Sequence, residues 1–410
     1  MKLEPFIIAF CVCTGVQAQT SDLLFRHKLD SLGVGMTHGN QLEFMHTGQQ
    51  KFDAMFRDID AAQSYVYLEY FNFRNDSIGL ALFDLLGRKA REGVEVKAMF
   101  DSFGNESNDQ PLRSSHLEAI RQTGVDVRVF DPLRFPWINH AYHRDHRKIV
   151  VIDGSICYTG GMNVADYYIH GRPEYGAWRD MHMRLTGEAV AEYERIFREM
   201  WSDTYGPDVQ FGNAQSAIDT GTSRTDDEVA IAVVNRIPRR QPKLMRKVYV
   251  AAIDVAQQHI QIVNPYPTNV KSIRRALRRA LKRGVRVEIM VSAKSDVPIT
   301  PDVVALEMRK LAKRGAEVYY NHEGFHHSKI MMVDSAFCTV GSSNLDARSM
   351  LFDYEVNSFI LDPAPTAQLQ HIFEQDKQRC TTFHADDYRR TFNFGHRLTG
   401  HIFSLFRGFM

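Results

Sequence analysis

Two short stretches of this chain carry residues that could do chemistry together. His146 opens HRKIVVIDGSICYTGGMN and His327 opens HSKIMMVDSAFCTVGSSN, so each stretch reads His-x-Lys-x4-Asp followed by Gly-x-x-Asn. The residues concerned are His146, Lys148, Asp153 and Asn163, then His327, Lys329, Asp334 and Asn344. In an extended strand, positions two apart share a face, so each histidine projects beside its lysine. Two lysines and two asparagines offer charged and neutral donors to the nonbridging oxygens of one phosphodiester. One imidazole can attack phosphorus and become a phosphohistidine. The other can protonate the leaving alkoxide and then deprotonate an incoming alcohol or water. This is phosphoryl transfer that asks for no metal and no organic cofactor. Asp153 and Asp334, at the far end of an apolar run, are counted with the catalytic set but are expected to brace the strand and turn. A single His-x-Lys is more often a surface strand pair, so the argument rests on the duplication.

That duplication organises most of the chain. SYVYLEYFNF (Ser64 to Phe73) has a counterpart in HIQIVNP (His259 to Pro265), and both read as buried strands. Helical patterns follow, GLALFDLLGRKAREG and SIRRALRRALKRG, each closed by glycine. Strands VEVKAMF and VRVEIMV come next, then the units RQTGVDVRVF and AKRGAEVYY. Gly93 and Gly284 are 191 apart, as are Gly124 and Gly315, whereas the two motif histidines are 181 apart. The first half therefore carries about ten extra residues before its motif, roughly 131–140, with Phe135, Pro136 and Trp137 as a candidate wall or lid. Cys157 and Cys338 are also 181 apart, which makes them equivalent core positions. With Cys380 they show no metal-ligand spacing and no disulfide framework. The expected fold is α/β: two pseudo-symmetric repeats, each a mixed sheet flanked by helices, with the site at their interface. The repeats are placed at 40–205 and 231–385, joined by a polar linker at 206–230.

At these motifs the chain resembles the phospholipase D superfamily, and within it the bacterial cardiolipin synthase branch. The matching features are Arg144 before the first motif and Gly160, Gly161 and Asn163 after it, then Trp178-Arg179-Asp180. After the second motif, Asn344, Asp346, Arg348 and Ser349 match, and Glu355 stands at a closing acidic position. The resemblance implies His146 as nucleophile and His327 as general acid, with Lys148, Lys329, Asn163 and Asn344 on the substrate phosphate. It also implies that a carboxylate orients each imidazole, for which Asp180 and Glu355 are the candidates. The implied activity is transphosphatidylation of phosphatidylglycerol to cardiolipin with release of glycerol. Water as acceptor would instead make a phospholipase D, and an exported nuclease is a third reading that the lack of an interleaved basic-aromatic groove disfavours. Two departures from the branch stand out. Asp353 replaces its usual Asn, and a signal-like segment stands where it has two membrane helices.

The ends of the chain bear on partners. Lys2, the apolar run Phe6 to Val16 and Val16-Gln17-Ala18 read as a signal peptide over residues 1–19. Export to the periplasmic face is expected from it, with peripheral membrane association. Lys and Arg total 50 against 49 Asp and Glu, so net charge identifies no partner. KSIRRALRRALKRGVR at 271–286 is strongly basic, which suits a solvated helix face and also an anionic lipid surface. The tail at 386–410 mixes basic and aromatic residues, either to lie on an anionic membrane or to pack on the protein itself. The partners expected are a phospholipid substrate and an anionic membrane surface; nucleic acid is not expected, and the oligomeric state is left open. Tyr266, in NPYP, stands where the resemblance to the synthase branch implies a Pro-Tyr near the site, and reads equally as a core tyrosine.

Overall fold

The computed structural model describes residues 4–132, 135, 143–206, 211–212 and 228–406, with side chains from residue 17 onward. The first half contributes eight strands. They are β1 (Thr37–Met45), β2 (Tyr65–Tyr70), β3 (Glu95–Asp101), β4 (Asp126–Phe130), β5 (Ile149–Ile152), β6 (Ile156–Gly160), β7 (Trp178–Arg179) and β8 (His182–Thr186). The second contributes nine: β9 (Val229–Arg236), β10 (His259–Val263), β11 (Arg286–Ser292), β12 (Glu317–Asn321), β13 (Phe325–His326), β14 (Ile330–Val333), β15 (Phe337–Gly341), β16 (Glu355–Ile360) and β17 (Cys380–Phe383).

Fifteen of these strands form one mixed sheet in the order β17-β12-β11-β10-β14-β15-β16-β9-β1-β8-β6-β5-β2-β3-β4. The order reads as the same half-sheet twice, back to back. The parallel trio β2-β3-β4 is matched by β10-β11-β12, and the motif hairpin β5-β6 by β14-β15. The halves join where β1 meets β9 across a bulge between Thr37 and Asn40. The two expected repeats are present, fused into a single sheet.

The apolar runs inside the motifs explain the layering. Along β5, Ile149 and Val151 enter a core shared by both halves, while Val150 and Ile152 enter a core made mostly by the first half, with Tyr266 and Phe325 from the second. Ile330 and Met332 likewise join the shared core, and Met331 and Val333 a third core belonging to the second half. A strand buried on both faces has no polar alternation, so these runs read IVVI and IMMV. Helices Ala189–Tyr205 and Pro363–Lys377 cover the shared face through Phe197, Trp201 and Phe373. On the other face, helices Ser77–Arg91 and Lys271–Lys282 are equivalent crossovers. Gly93 (φ +95°) and Gly284 (φ +85°) turn the chain left-handed between each crossover and its next strand. Cys157 and Cys338 are buried on β6 and β15.

The N-terminal segment does more than its apolar run suggests. A helix spans Glu4–Ser31, and its later turns pack into the second half, far away in sequence. Phe25 stacks on Phe337 with ring centroids 4.2 Å apart, and Leu29 is fully buried beside it. Among the described residues, no helix is long and apolar enough to cross a membrane. At the other end, helix Phe394–Phe403 packs on helix Thr300–Ala312, with His396 Nδ1 2.9 Å from Asp302. Most of the insert, including Pro136 and Trp137, and most of the expected linker lie outside the described residues.

Candidate active site

Each motif histidine sits just before its strand, where the two half-sheets face each other, and both line one cavity of about 580 Å³. The other half of the molecule holds each of them. Glu355, at the start of β16, places Oε1 3.0 Å from His146 Nδ1, and Asp180, beside β7, places Oδ2 2.7 Å from His327 Nδ1. The backbone repeats the exchange. His146 N–H donates to the Tyr354 carbonyl (3.0 Å), and His327 N–H donates to the Arg179 carbonyl (2.6 Å). The residue before each carboxylate thus anchors the main chain of the histidine that the carboxylate orients. The short parallel pair β7-β13 and the bridge Asp145–Tyr354 are the two copies of this cross-strap.

Local sequence makes room for these contacts. A Cβ on Gly161 would lie 2.1 Å from an Asp180 carboxylate oxygen, so the Gly-Gly of the first motif lets that carboxylate lie against the backbone. Ser342, in the equivalent position 181 residues on, donates its hydroxyl to Glu355. The two asparagines are anchored alike. Asn163 N–H donates to Tyr168 Oη (3.0 Å) and Asn344 N–H to Ser349 Oγ (3.1 Å), which leaves both side chains on the cavity wall.

The lysines occupy a different place from the one their shared face with histidine suggests. Lys148 and Lys329 are buried, off the cavity surface, and each ammonium folds back onto the carbonyl of its own histidine. Lys329 Nζ also approaches His327 Nδ1 at 2.8 Å. Burial lowers both lysines, Lys148 to about 7 and Lys329 in the same direction, although Glu355 and Asp180 respectively pull them up. Burial and the neighbouring lysine also lower both histidines, His327 to about 4 and His146 in the same direction. Burial, the largest single influence, favours protonation of Glu355 and Asp180. His146, Lys148 and Ser342 together outweigh it for Glu355, and Lys329, His327 and the Met181 N–H together for Asp180, so both carboxyls fall below their usual range. Both are therefore ionised acceptors.

The two motif aspartates do not join this group, which corrects their place in the catalytic set. A four-residue strand separates each from its histidine, and neither lines the cavity. Asp153 instead accepts from the backbone N–H groups of Gln63, Ser64 and Tyr65, and Asp334 from those of Gln257, Gln258 and His259 and from Ser21 Oγ. They pin the hairpin to the start of the neighbouring strand.

Around the histidines the structure adds residues to Trp178 and Tyr266, which the sequence already singles out. Phe71 meets His146 edge-on at 5.1 Å, while Tyr266, Phe325 and Trp178 surround His327 at 5.4–6.0 Å. Arg74, Arg172 and Asp296 also line the wall. A repeat comparison could find Tyr266, which stands beside the strand equivalent to that of Phe71; nothing local marks Asp296.

Comparison with known proteins agrees with this geometry. Residues 55–201 and 249–377 match the family described as "Cardiolipin synthase, PLD-like domain". The chain is 32% identical over 360 residues to a cardiolipin synthase of Oceanobacillus iheyensis, covering 88% of this chain and 73% of that protein. It is 33% identical over 353 residues to a cardiolipin synthase of Staphylococcus aureus, covering 83% of this chain and 68% of that one. Among solved structures, phosphatidylserine synthase of Haemophilus influenzae superposes with a TM-score of 0.74 at 15% identity, over 94% of this chain and 100% of that chain. At that identity the likeness is one of fold.

Proposed function

The chain belongs to the cardiolipin synthase, phospholipase D-like family, and from that premise we propose that it transfers a phosphatidyl group between two phosphatidylglycerol molecules, releasing glycerol and forming cardiolipin. The observation that carries this reading is the pair of cross-held histidines in one cavity with two asparagine amides. Because ionised Glu355 can only accept, His146 donates from Nδ1 and keeps a bare lone pair on Nε2, as a nucleophile requires. His146 Nε2 attacks phosphorus, and the bond to the glycerol oxygen breaks as His327 gives that oxygen a proton. The hydroxyl of the second phosphatidylglycerol then returns a proton to His327 and displaces His146. Asn163 and Asn344 hold the nonbridging oxygens, and the two lysines turn toward them when the anionic phosphate arrives. Geometry of this kind commonly tightens only in the substrate complex.

Incubating the purified chain with phosphatidylglycerol vesicles, beside a His146→Ala control, tests the reading by mass spectrometry. Cardiolipin and free glycerol, absent in the control, are expected. Phosphatidic acid alone would show that water is the acceptor and the enzyme a phospholipase D.

The reading includes an anionic membrane surface as partner. Phe394, Leu398 and Ile402 repeat every four residues along the helix that packs on Thr300–Ala312, and with Leu405 and Phe406 they are exposed. Arg389, Arg390 and Arg397 flank them, a combination suited to anionic headgroups over acyl chains. Thr300, at the start of the supporting helix, lines the cavity, so lipid bound by the tail would lie beside its mouth. Deleting residues 388–410 should lower binding to anionic liposomes, and unchanged binding removes this surface from the proposal. Export is part of the same reading: cleavage after Ala18 would keep Ser21, Phe25 and Leu29, which tie the helix to the second half.

A further inference from the structure

The cavity walls differ in charge, and the difference does not fit phosphate binding alone. The first half contributes Arg74 and Arg172 with Asp109 paired to both, whereas the second contributes the carboxylates Asp296 and Asp346 beside an Arg348–Asp353 ion pair, so the excess of acid lies on the second half's wall. Tyr266, in ring contact with His327, donates its hydroxyl to Asp296. Both carboxylates act electrostatically on Tyr266 and on Lys329, so they belong to one neighbourhood. Asp346 is only 7% exposed, burial raises its carboxyl to about 7, and one of its oxygens accepts the Ser349 N–H at 2.8 Å. It therefore serves as an acceptor more than as a full charge, which falls to Asp296. Adjoining it on the same wall, Asn344 Oδ1 is buried and has no hydrogen-bond partner among the described residues.

A carboxylate accepts hydrogen bonds and repels anions. Placed on the wall of a phosphodiester site it is unfavourable toward phosphate, and favourable toward neutral O–H groups. The repeat register shows that this chemistry belongs to the second half. Position 346 corresponds, 181 residues earlier, to Ala165, and position 296 corresponds, 191 residues earlier, to Asn105. The first half thus has no acid at either place.

We infer that Asp296 and Asp346, with Asn344 Oδ1 and Thr300, form a subsite for a polyol, the hydroxyl-rich part of a leaving or accepting alcohol, beside His327. The inference rests on the phosphatidyl-transfer reading and deepens it. In-line displacement by His146 puts the leaving oxygen on the opposite side of phosphorus, toward His327. Glycerol leaves from that side in the first step, and the glycerol headgroup of the second lipid enters from it in the next. One polyol subsite therefore serves both steps. Its carboxylates accept from the hydroxyls that do not react, while His327 exchanges the proton of the one that does. Asp296 and Asp346 are specificity-determining residues here, acting on alcohol choice rather than on phosphorus.

The test is competition between two small acceptors that differ by one hydroxyl. The full-length protein is given phosphatidylglycerol vesicles with equal concentrations of 1-propanol and 1,2-propanediol, and the two phosphatidyl alcohols are quantified by mass spectrometry. The wild type should favour the diol about tenfold or more, because a site built to bond a hydroxyl discriminates against its absence. Asp296→Asn and Asp346→Asn should bring the ratio to within about twofold of unity. The ratio is internal to each reaction, so it is readable even where total turnover falls, and Asp296→Ser provides a second route where Asn impairs folding. A wild-type ratio near unity, or a diol preference that survives in both Asn variants, overturns the subsite while transfer itself stands. A wild type that makes cardiolipin but neither phosphatidyl alcohol overturns the subsite alone, and one that makes neither phosphatidyl alcohol nor cardiolipin removes the transfer reading and the subsite with it.

Discussion

The two histidine centres are copies by topology and unequal in their surroundings. Among the described residues His146 Nδ1 has one side-chain partner, Glu355, whereas His327 Nδ1 is approached by Asp180 at 2.7 Å and by Lys329 at 2.8 Å. A ring nitrogen cannot donate to a carboxylate and accept from an ammonium at once. The resting site therefore fixes the tautomer of His146 and leaves that of His327 contested. Around the rings, His146 has Phe71, Arg348 and Asp353 on its wall, while His327 lies among Trp178, Tyr266 and Phe325. Duplication supplied two equal histidines, and on the proposed mechanism the divergence of their neighbours would separate nucleophile from acid. If bound phosphate draws Lys329 away, His327 would keep Asp180 alone and its proton affinity would rise.

The sharpest way to break this comparison is to remove each imidazole. His146→Ala and His327→Ala should each lower turnover of phosphatidylglycerol by about 10⁴-fold or more, since members of a catalytic pair fail together. They should part company on a phosphatidyl ester with an activated leaving group such as p-nitrophenol, which needs no acid. His327→Ala should then still release p-nitrophenol in a burst equal to one phosphohistidine per site, and His146→Ala should release none. The opposite pattern would exchange the roles.

The straps come next in size. Glu355→Gln and Asp180→Asn should each cost about 10²–10⁴-fold in kcat/KM, in the range of lost acid–base assistance. Their pH profiles should differ. Glu355 raises the proton affinity of His146, so its loss should move the acid limb of kcat/KM, set by neutral His146, to lower pH. Asp180→Asn should weaken the acid, and its defect should shrink on the activated ester. An unmoved acid limb in Glu355→Gln would show that Glu355 does not govern the nucleophile.

Lysine 329 sharpens the comparison more finely. Its charge is second to burial in holding His327 down to about 4. Lys329→Met should let that imidazole titrate closer to 6.5, followed by NMR of the ring protons, while His146 shifts less. A His327 titration that stays near 4 would leave burial as the whole cause.

The repeat, its crossover helices and the motif hairpins were legible because each rests on a local pattern: an apolar run, a terminal glycine, a shared offset. Asp180 and Glu355 could be picked out as carboxylates near the motifs, but not which histidine each serves. In sequence, each lies about thirty residues after the histidine of its own half; in space it serves the other, because β8 and β16 return to the middle of the sheet and aim the residues beside them across the interface. The folded-back lysines were equally hidden. Alternation along a strand says which face a side chain starts from, not where a four-carbon stem ends. The signal-peptide reading of the N-terminus rests on Lys2, the apolar run and Val16-Gln17-Ala18. Ser21, Phe25 and Leu29, which tie the helix to the second half, lie beyond all three. Asp296 had no motif at all, being set beside His327 by the turn after β11.

The smallest effects are expected at the opposite ends of the motif strands, where the halves again differ. Asp153 accepts three backbone N–H groups, and Asp334 accepts the equivalent three plus Ser21 Oγ from the N-terminal helix. Replacing either by Asn leaves one oxygen and sets an amide donor against backbone donors, at a cost of about 1–3 kcal/mol. The loss at Asp334 should be the larger, because it also frees the helix that seats Phe25 against Phe337. Denaturant unfolding of Asp153→Asn, Asp334→Asn and Ser21→Ala measures the difference, with Ser21→Ala costing about 0.5–1.5 kcal/mol. Activity per folded molecule should stay within about twofold of wild type, since neither aspartate lies near the cavity. A kcat that collapses in Asp153→Asn or Asp334→Asn while stability is unchanged would return these residues to the chemistry, and would mean that the strand carries strain from its far end to the histidine.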